Sequence, residues 1–252
     1  MNAGRDQTEL RSVELDTGDG VMRGKVAVTT GPMRLAGLVA TALQLTDALV
    51  DRATKLEVLN NRAISCKPGC GACCRQMVPL SAPEAFALMD VMASLPQPSR
   101  DEIRARFEAA SGVLEAQNMI EELLDPPSTI EPVLPIARRY FGLGLACPFL
   151  EEESCSIHSH RPTACRDYNV TSPPLWCERP YEHDIAKVAL PIPLSVPLAR
   201  AAASAAYIRP QLVPLTLVPG WVQDHAELGR RTWPGPELFD LFLEEVAATY
   251  RA

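Results

Sequence analysis

No stretch of this 252-residue chain approaches the roughly 20 uninterrupted apolar residues that a membrane-crossing helix needs. The best candidate, from Leu35 onward, is interrupted by Asp47 and Asp51, so no membrane span and no membrane partner is expected. No leader is expected either. The opening MNAGRDQTEL is polar and acidic, without the basic start and the run of about 7 to 15 apolar residues of a signal peptide. The expected location is cytoplasmic.

Cationic surplus is also absent. The chain has 24 Lys and Arg against 31 Asp and Glu, a net charge of -7, and no basic patch. Binding to phosphate backbones is driven mainly by Lys and Arg, which disfavours nucleic acid, and none is expected as a partner; the sequence names no protein partner or substrate. There is no internal repeat, no low-complexity tract, and no glycine-rich strand-to-helix turn of the kind that cradles a nucleotide or S-adenosylmethionine.

What the chain does have is cysteine. Eight are present: Cys66, Cys70, Cys73, Cys74, Cys147, Cys155, Cys165 and Cys177. The first four fall in the stretch ISCKPGCGACCRQ, and disulfides, inert core thiols or metal ligands could account for them. A chain of this length, nearly half apolar, can bury a core without covalent staples. Disulfides rarely persist in a reducing cytosol. Ordinary core cysteines would be scattered through the helices, whereas these sit in Gly/Pro-rich or irregular stretches. Metal ligation is therefore the expected role. Thiolates are soft ligands suited to zinc and iron-sulfur clusters, and the two-residue spacer of Cys70-Gly-Ala-Cys73 lets one turn aim two sulfurs at one ion. Gly69 and Gly71 give the loop conformational freedom, and Lys67 and Arg75 could offset thiolate charge.

Around this site the pattern predicts mainly helix. Two β-prone runs between Glu9 and Thr30, around Asp-Gly turn chemistry, read as a hairpin. Leu35, Leu38, Ala42, Leu45, Leu49, Leu56 and Leu59 predict a helix from Gly31-Pro32 to about Asn61. Its heptad-like spacing is assigned to core packing rather than a dimer seam, because Arg52 occupies a seam position. Ser81-Ala-Pro-Glu84 is a capping box opening a helix to about Leu95. Another helix is expected from Arg100 to Gln117. Pro126, Pro127 and Pro132 should then break the chain before a helical Ile136 to Phe141. From Leu143 to Pro180 the period is lost, and a long irregular segment inside a domain needs something to order it. The last quarter reads as apolar runs at Lys187 to Leu194 and Leu212 to Val218, irregular or edge strands given Pro191, Pro193 and Pro214, with an Ala-rich helix between them. An amphipathic helix, Gly235 to Tyr250, closes the chain. The fold class expected is α+β, predominantly helical, with a few short strands and an irregular cysteine-rich segment organised by metal. Residues 1–252 read as one domain, with the cysteine region at 60–180 and flanks 1–59 and 181–252 of unassigned role.

Cys66-x3-Cys70-x2-Cys73-Cys74 followed by VPLSAPEA resembles the CxxCxxCC cysteine-cluster proteins, the YkgJ-like family of zinc- or iron-chelating domains. Cys147-Pro-Phe-Leu, Cys155-Ser-Ile-His, Arg161-Pro162 and Cys165-Arg-Asp-Tyr168 resemble that family's second block in the same order. The resemblance covers about positions 60 to 180 and implies that all eight cysteines belong to a metal or iron-sulfur site. The family also includes a flagellin lysine N-methylase with a similar cysteine block in a longer chain. That activity is not carried over, because the glycine-rich cofactor turn is missing.

The spacing of Cys66, Cys70 and Cys73 also fits radical S-adenosylmethionine enzymes, but Ala72 stands where those carry an aromatic. The motif also follows a long helix rather than opening strand-helix units. A redox or protein-modifying enzyme is kept as the alternative to a binding protein. Eight thiolates could make two four-cysteine zinc sites or one four-cysteine cluster with others around it. Adjacent Cys73 and Cys74 should diverge, and both would be used. An iron-sulfur cluster is placed ahead of zinc, on the resemblance of Cys147-Pro148 to the cysteine-proline pair of bacterial ferredoxins. His158 and His160 are expected at the loop surface. Arg161 and Arg166 are open between donating to sulfur and pairing with acids such as Asp167. Tyr168 and Trp176 should pack against the site. His183 and His225 have no evident partner, and a Cys-His nucleophilic pair is set aside in favour of ligation.

Overall fold

A computed structural model describes residues 8–18, 20–126 and 130–250. Most of the polar opening, residues 1–7, and Pro127 lie outside the described residues.

Strands β1 (Thr8–Asp16) and β2 (Val21–Thr29) form the expected hairpin, paired from Thr8↔Thr29 to Asp16↔Val21. Their alternation sends Val13, Leu15, Val26 and Val28 into the core. Thr17 closes the turn by donating its N–H and its hydroxyl to the Gly20 carbonyl, at 2.8 and 2.7 Å.

The helix expected from Gly31-Pro32 begins later. Pro32–Arg34 is strand β3, a 3-10 turn follows, and α1 spans Leu38–Leu59. Leu35, Leu38, Ala42, Leu45 and Leu49 are buried, but Leu56 and Leu59 are 41% and 77% exposed. Core packing therefore explains the first part of the leucine pattern, and the last turns of α1 project beyond it.

Strand β4 (Pro79–Ser81) leads into α2 (Ala82–Ser94), with the Ser81/Glu84 capping box formed and Pro83 in the first turn. Next come α3 (Gln97–Ala116), α4 (Ile120–Leu124) and α5 (Ile130–Gly142). Helix α5 corrects the expected break at Pro132. Within the first turn a backbone N–H has no helical acceptor, so Pro132 forfeits nothing there, and Pro135 removes one hydrogen bond further in.

From Leu143 to Pro180 no element exceeds five residues: β5 (Leu150–Glu151), β6 (Ser154–Cys155), α6 (Thr163–Asp167) and α7 (Pro174–Cys177). The chain then forms α8 (Ser195–Ala206), β7 (Leu212–Pro214), α9 (Val218–Asp224), α10 (Ala226–Arg230), β8 (Thr232–Pro234) and α11 (Gly235–Tyr250). Lys187 to Leu194 contributes only a bridge, Val170↔Lys187. β3 pairs with β8 and β4 with β7, antiparallel and three residues long. Prolines at Pro32↔Pro234 and Pro79↔Pro214 end both ladders, since proline donates no hydrogen bond.

The main core joins the hairpin, α1, α2, α8 and α11, and Phe149 and Ile157 of the irregular segment enter it. Burying each such side chain contributes about 1.5–3 kcal/mol, so the second cysteine block is anchored on both sides of Cys155. Phe149 meets Phe107 of α3 edge-on, ring centroids 5.5 Å apart. A second cluster centres on Leu114, Met119, Leu123, Ile136, Tyr140 and Leu217, and a third on Ala72, Val170 and Cys177. The fold is α+β and predominantly helical, with short strands. No helix among the described residues is long and apolar enough to cross a membrane.

Candidate metal centre

The first block starts where α1 ends. Asn61 takes a left-handed φ of 58°, a conformation asparagine tolerates, and the chain then runs against the second block. Ser65 donates its N–H to the Val170 carbonyl at 2.9 Å and its hydroxyl to the Thr171 carbonyl at 3.2 Å. Lys67 to Cys70 makes a turn with Pro68 second and Gly69 third, closed by the Cys70 N–H on the Lys67 carbonyl at 3.2 Å. Gly69 has φ +80°, the value that a type II turn requires at that position. A 3-10 turn, Ala72–Arg75, then presents Cys73 and Cys74.

The second block reaches back directly. Cys147 donates its backbone N–H to the Cys74 carbonyl at 2.7 Å. Strands β5 and β6 turn through Glu152 and Glu153, both at positive φ (48° and 59°). Two glutamates in this conformation carry strain, and Glu153 is held by a two-armed ion pair with Arg75, at 2.6 and 3.0 Å. Arg75 also donates to the Gly71 carbonyl at 3.0 Å. A Cβ on Gly71 would lie 2.5 Å from Glu153 Oε2 and 3.2 Å from its Cα. Gly71 is therefore required by close approach rather than by its own φ of -94°.

Helix α6 carries Cys165 and is fixed at both ends. The buried Glu84 carboxylate accepts from the N–H and hydroxyl of Thr163, at 2.8 Å each, while also capping α2 through the N–H and hydroxyl of Ser81, at 2.9 and 2.7 Å. At the other end Arg166 donates from Nη1 to both carboxylate oxygens of Asp47 of α1, at 2.6 and 2.8 Å, and from its other nitrogens to the carbonyls of Ser159 and Arg161. Cys177, on α7, packs with Ala72, Val170, Cys70, Tyr168 and Ile185.

All eight cysteines are free thiols. Cys70 acts on the ionisation of Cys66, and both act on that of Cys177; Cys155 acts on that of Cys147, and both act on that of Cys165. Cys73 lies within electrostatic reach of Cys66 and Cys177 as well as of the latter three. Cys73 and Cys74 stand next to each other in the 3-10 turn and perturb each other's ionisation. Among the described residues no three His, Cys, Asp or Glu side chains are already arranged as a metal-binding set.

The electrostatics suit a cation. Burial, followed by the charge of neighbouring thiols, pushes up Cys155, Cys165 and Cys177, and Cys147 rises to about 12. Burial also raises Cys66, against a backbone hydrogen bond at Val170 that lowers it. Cys74 is raised by its hydrogen bond to Cys73, and Cys73 is lowered to about 7 by the same bond. Left alone, the raised thiols keep their protons; a soft metal ion removes the mutual repulsion that opposes their ionisation. The donor set therefore fits zinc or iron.

The remaining expectations divide. His158 and His160 are exposed, as expected. Tyr168 packs beside Cys70 and Cys177, and its hydroxyl accepts from Gln76 at 3.1 Å. Trp176 stacks on His183 at 5.1 Å, and Trp221 on His225 at 4.1 Å, so both histidines have aromatic partners that the sequence did not show. Arg75 is bound to Glu153 and Lys67 is exposed. Arg166 pairs with Asp47 rather than Asp167. Asp167 is raised to about 7 by burial and then by Glu84. Sequence reasoning found Glu84 as a cap but missed its grip on Thr163, for which the chain carries no local signal.

Residues 65–185 match the CxxCxxCC family model, described as a zinc- or iron-chelating domain, and the match takes in all eight cysteines. No curated protein and no solved structure matches the chain. Over residues 65–185, where two cysteine blocks fold against each other, the chain is similar to the CxxCxxCC zinc- or iron-chelating domains.

Proposed function

We propose that this protein binds metal through its eight cysteines, Cys66, Cys70, Cys73, Cys74, Cys147, Cys155, Cys165 and Cys177, as an iron-sulfur cluster or as zinc. The observation that carries this reading is the junction of the blocks. Cysteines 73 residues apart in the chain are tied by the hydrogen bond from the Cys147 N–H to the Cys74 carbonyl, and Arg75 and Glu153 lock the same junction. Inert core thiols have no need of such an arrangement. Their position in short, irregular elements supports a site in which ligation supplies order that helix propensity does not.

In this reading Cys66, Cys70 and Cys177 belong to one set and Cys147, Cys155 and Cys165 to another, with the Cys73-Cys74 pair shared between them. One member of the pair assigned to each side gives two four-thiolate sets, the number a closed structural zinc site or a cubane cluster uses. Bound iron would supply one-electron chemistry and bound zinc a fixed structural node. The free state of all eight thiols fits a reducing, cytoplasmic location.

Anaerobic purification with a visible spectrum, and iron, zinc and acid-labile sulfide measured on one sample, tests the reading. Iron with sulfide supports the cluster, and stoichiometric zinc in a colourless protein supports structural sites. Absence of both metals with every thiol reactive contradicts metal binding.

A further inference from the structure

Among the described residues Arg161 has no ion pair, unlike its arginine neighbours around the cysteine blocks. Arg75 is held by Glu153, Arg166 by Asp47, and Arg106 of α3 by Glu151 and the Pro148 carbonyl. The Nε of Arg161 is buried with no hydrogen-bond partner, and its guanidinium has no ion pair among the described residues. Its backbone is nonetheless fixed, because its carbonyl accepts from Arg166 Nε at 2.9 Å and Pro162 opens α6 directly after it. A buried donor on a cation is costly to leave unmet, so its partner should be a group the protein acquires.

The position of the guanidinium indicates that group. Arg161 directly precedes Pro162, whose carbonyl accepts from the N–H of Cys165 at 3.0 Å, so it stands one turn from a site cysteine, and its charge also acts on Cys66, Cys73 and Cys155. Among the described residues no carboxylate pairs with it. A divalent ion held by four thiolates keeps a net negative charge on sulfurs that accept hydrogen bonds, and charge-assisted donors are the strong ones. Arginine suits such a role, being permanently charged, planar and weakly hydrated.

We propose that Arg161 is the built-in countercharge of the metal centre, a positioning residue whose guanidinium donates to metal-bound cysteine sulfur and sets the stability of the thiolate complex. The proposal rests on the metal-binding reading above. Groups that brace metal ligands from outside the coordination sphere typically control affinity by 10- to 100-fold.

The test is cobalt(II) titration of the reduced full-length protein, following sulfur-to-cobalt charge transfer, for wild type, Arg161→Lys and Arg161→Gln, with circular dichroism as the folding control. R161Q should bind cobalt on the order of 10-fold or more weakly with a shifted charge-transfer band, and R161K should recover part of the affinity. Wild-type binding with R161Q equal to it in affinity and band position overturns the proposal alone. Equal losses in R161K and R161Q, with unshifted bands, also overturn it, since that is the pattern of mere packing. A wild type that takes up no cobalt overturns the metal-binding reading and the proposal together.

Discussion

Glu84 and Thr163, 79 positions apart, are joined by two hydrogen bonds of 2.8 Å inside the protein, one from the Thr163 N–H and one from its hydroxyl to the same carboxylate oxygen. The other oxygen caps α2 at Ser81. One buried carboxylate thus fixes the start of a core helix and the start of the helix that bears Cys165.

Replacing Glu84 should be among the most damaging single changes outside the cysteines. Glu84→Ala orphans donors on both Ser81 and Thr163, at about 1–3 kcal/mol for each buried group left unmet. Thr163→Val, which removes one bond and keeps the shape, should cost about 1–2 kcal/mol. Urea unfolding of both variants checks the ranking, and a Glu84→Ala protein as stable as wild type would refute it.

Gly71→Ala should separate the two cysteine blocks. The added methyl meets Glu153 and Leu150, with a Glu153 backbone atom at 3.2 Å, and overpacking of this kind costs about 1–3 kcal/mol. Metal affinity should fall with stability. Gly112→Ala, in the exposed middle of α3 with nothing within 4 Å, should instead stabilise by about 0.5–1 kcal/mol. Thermal melts and metal titrations of the pair separate a local clash from a general intolerance of alanine.

The metal-free protein should lose stability as pH rises from about 8.5, where unfolded cysteine ionises, toward about 12, where Cys147 does so in the folded state. In that window the folded state holds a proton that the unfolded state has released, so the slope is negative, up to about 1.4 kcal/mol per pH unit for such a thiol. Metal affinity runs the other way and rises with pH as fewer protons need displacing. Urea midpoints of chelated protein at pH 8 and pH 10, beside metal titrations at pH 6.5 and 8, check both signs.

Asp167 has the same sign in a lower window. Its pKa is raised from about 3.9 in the unfolded chain to about 7, by burial and then by Glu84. Stability lost to its charge at pH 8 returns as pH falls through 7 toward 4. Asp167→Asn should therefore stabilise the protein at pH 8, by on the order of 1 kcal/mol, with the gain fading by pH 4. Denaturation at the two pH values measures it, and destabilisation at pH 8 would contradict the assignment.

Local signals in the sequence were sufficient for the hairpin, the capping box of α2, the Ala-rich α8 and the closing α11, because alternation, capping chemistry and helical period are written in neighbouring residues. The strand pairs β3-β8 and β4-β7 were not legible. Each is three residues long, too short for a period, and its partner lies far along the chain. Helix α5 began earlier than expected because Pro132 falls in its first turn, where no helical acceptor is lost, and Pro135 costs one hydrogen bond without ending the helix. The cysteines announced the site by clustering, but spacing along the chain did not reveal that Cys73 would act on cysteines of both groups. Nor did it show which arginine would lack an ion pair among the described residues. Arg75, Arg161 and Arg166 are alike as letters, and only the placement of Glu153 and Asp47 distinguishes them.

The central claim is that thiols of both blocks hold metal together. Alkylation of the anaerobically purified protein, mapped cysteine by cysteine by mass spectrometry before and after chelation, tests it most directly. The account predicts protection of cysteines in both blocks, Cys66 to Cys74 and Cys147 to Cys177, released together when the metal is removed. Equal labelling of all eight with and without chelator, or protection confined to one block, would contradict it.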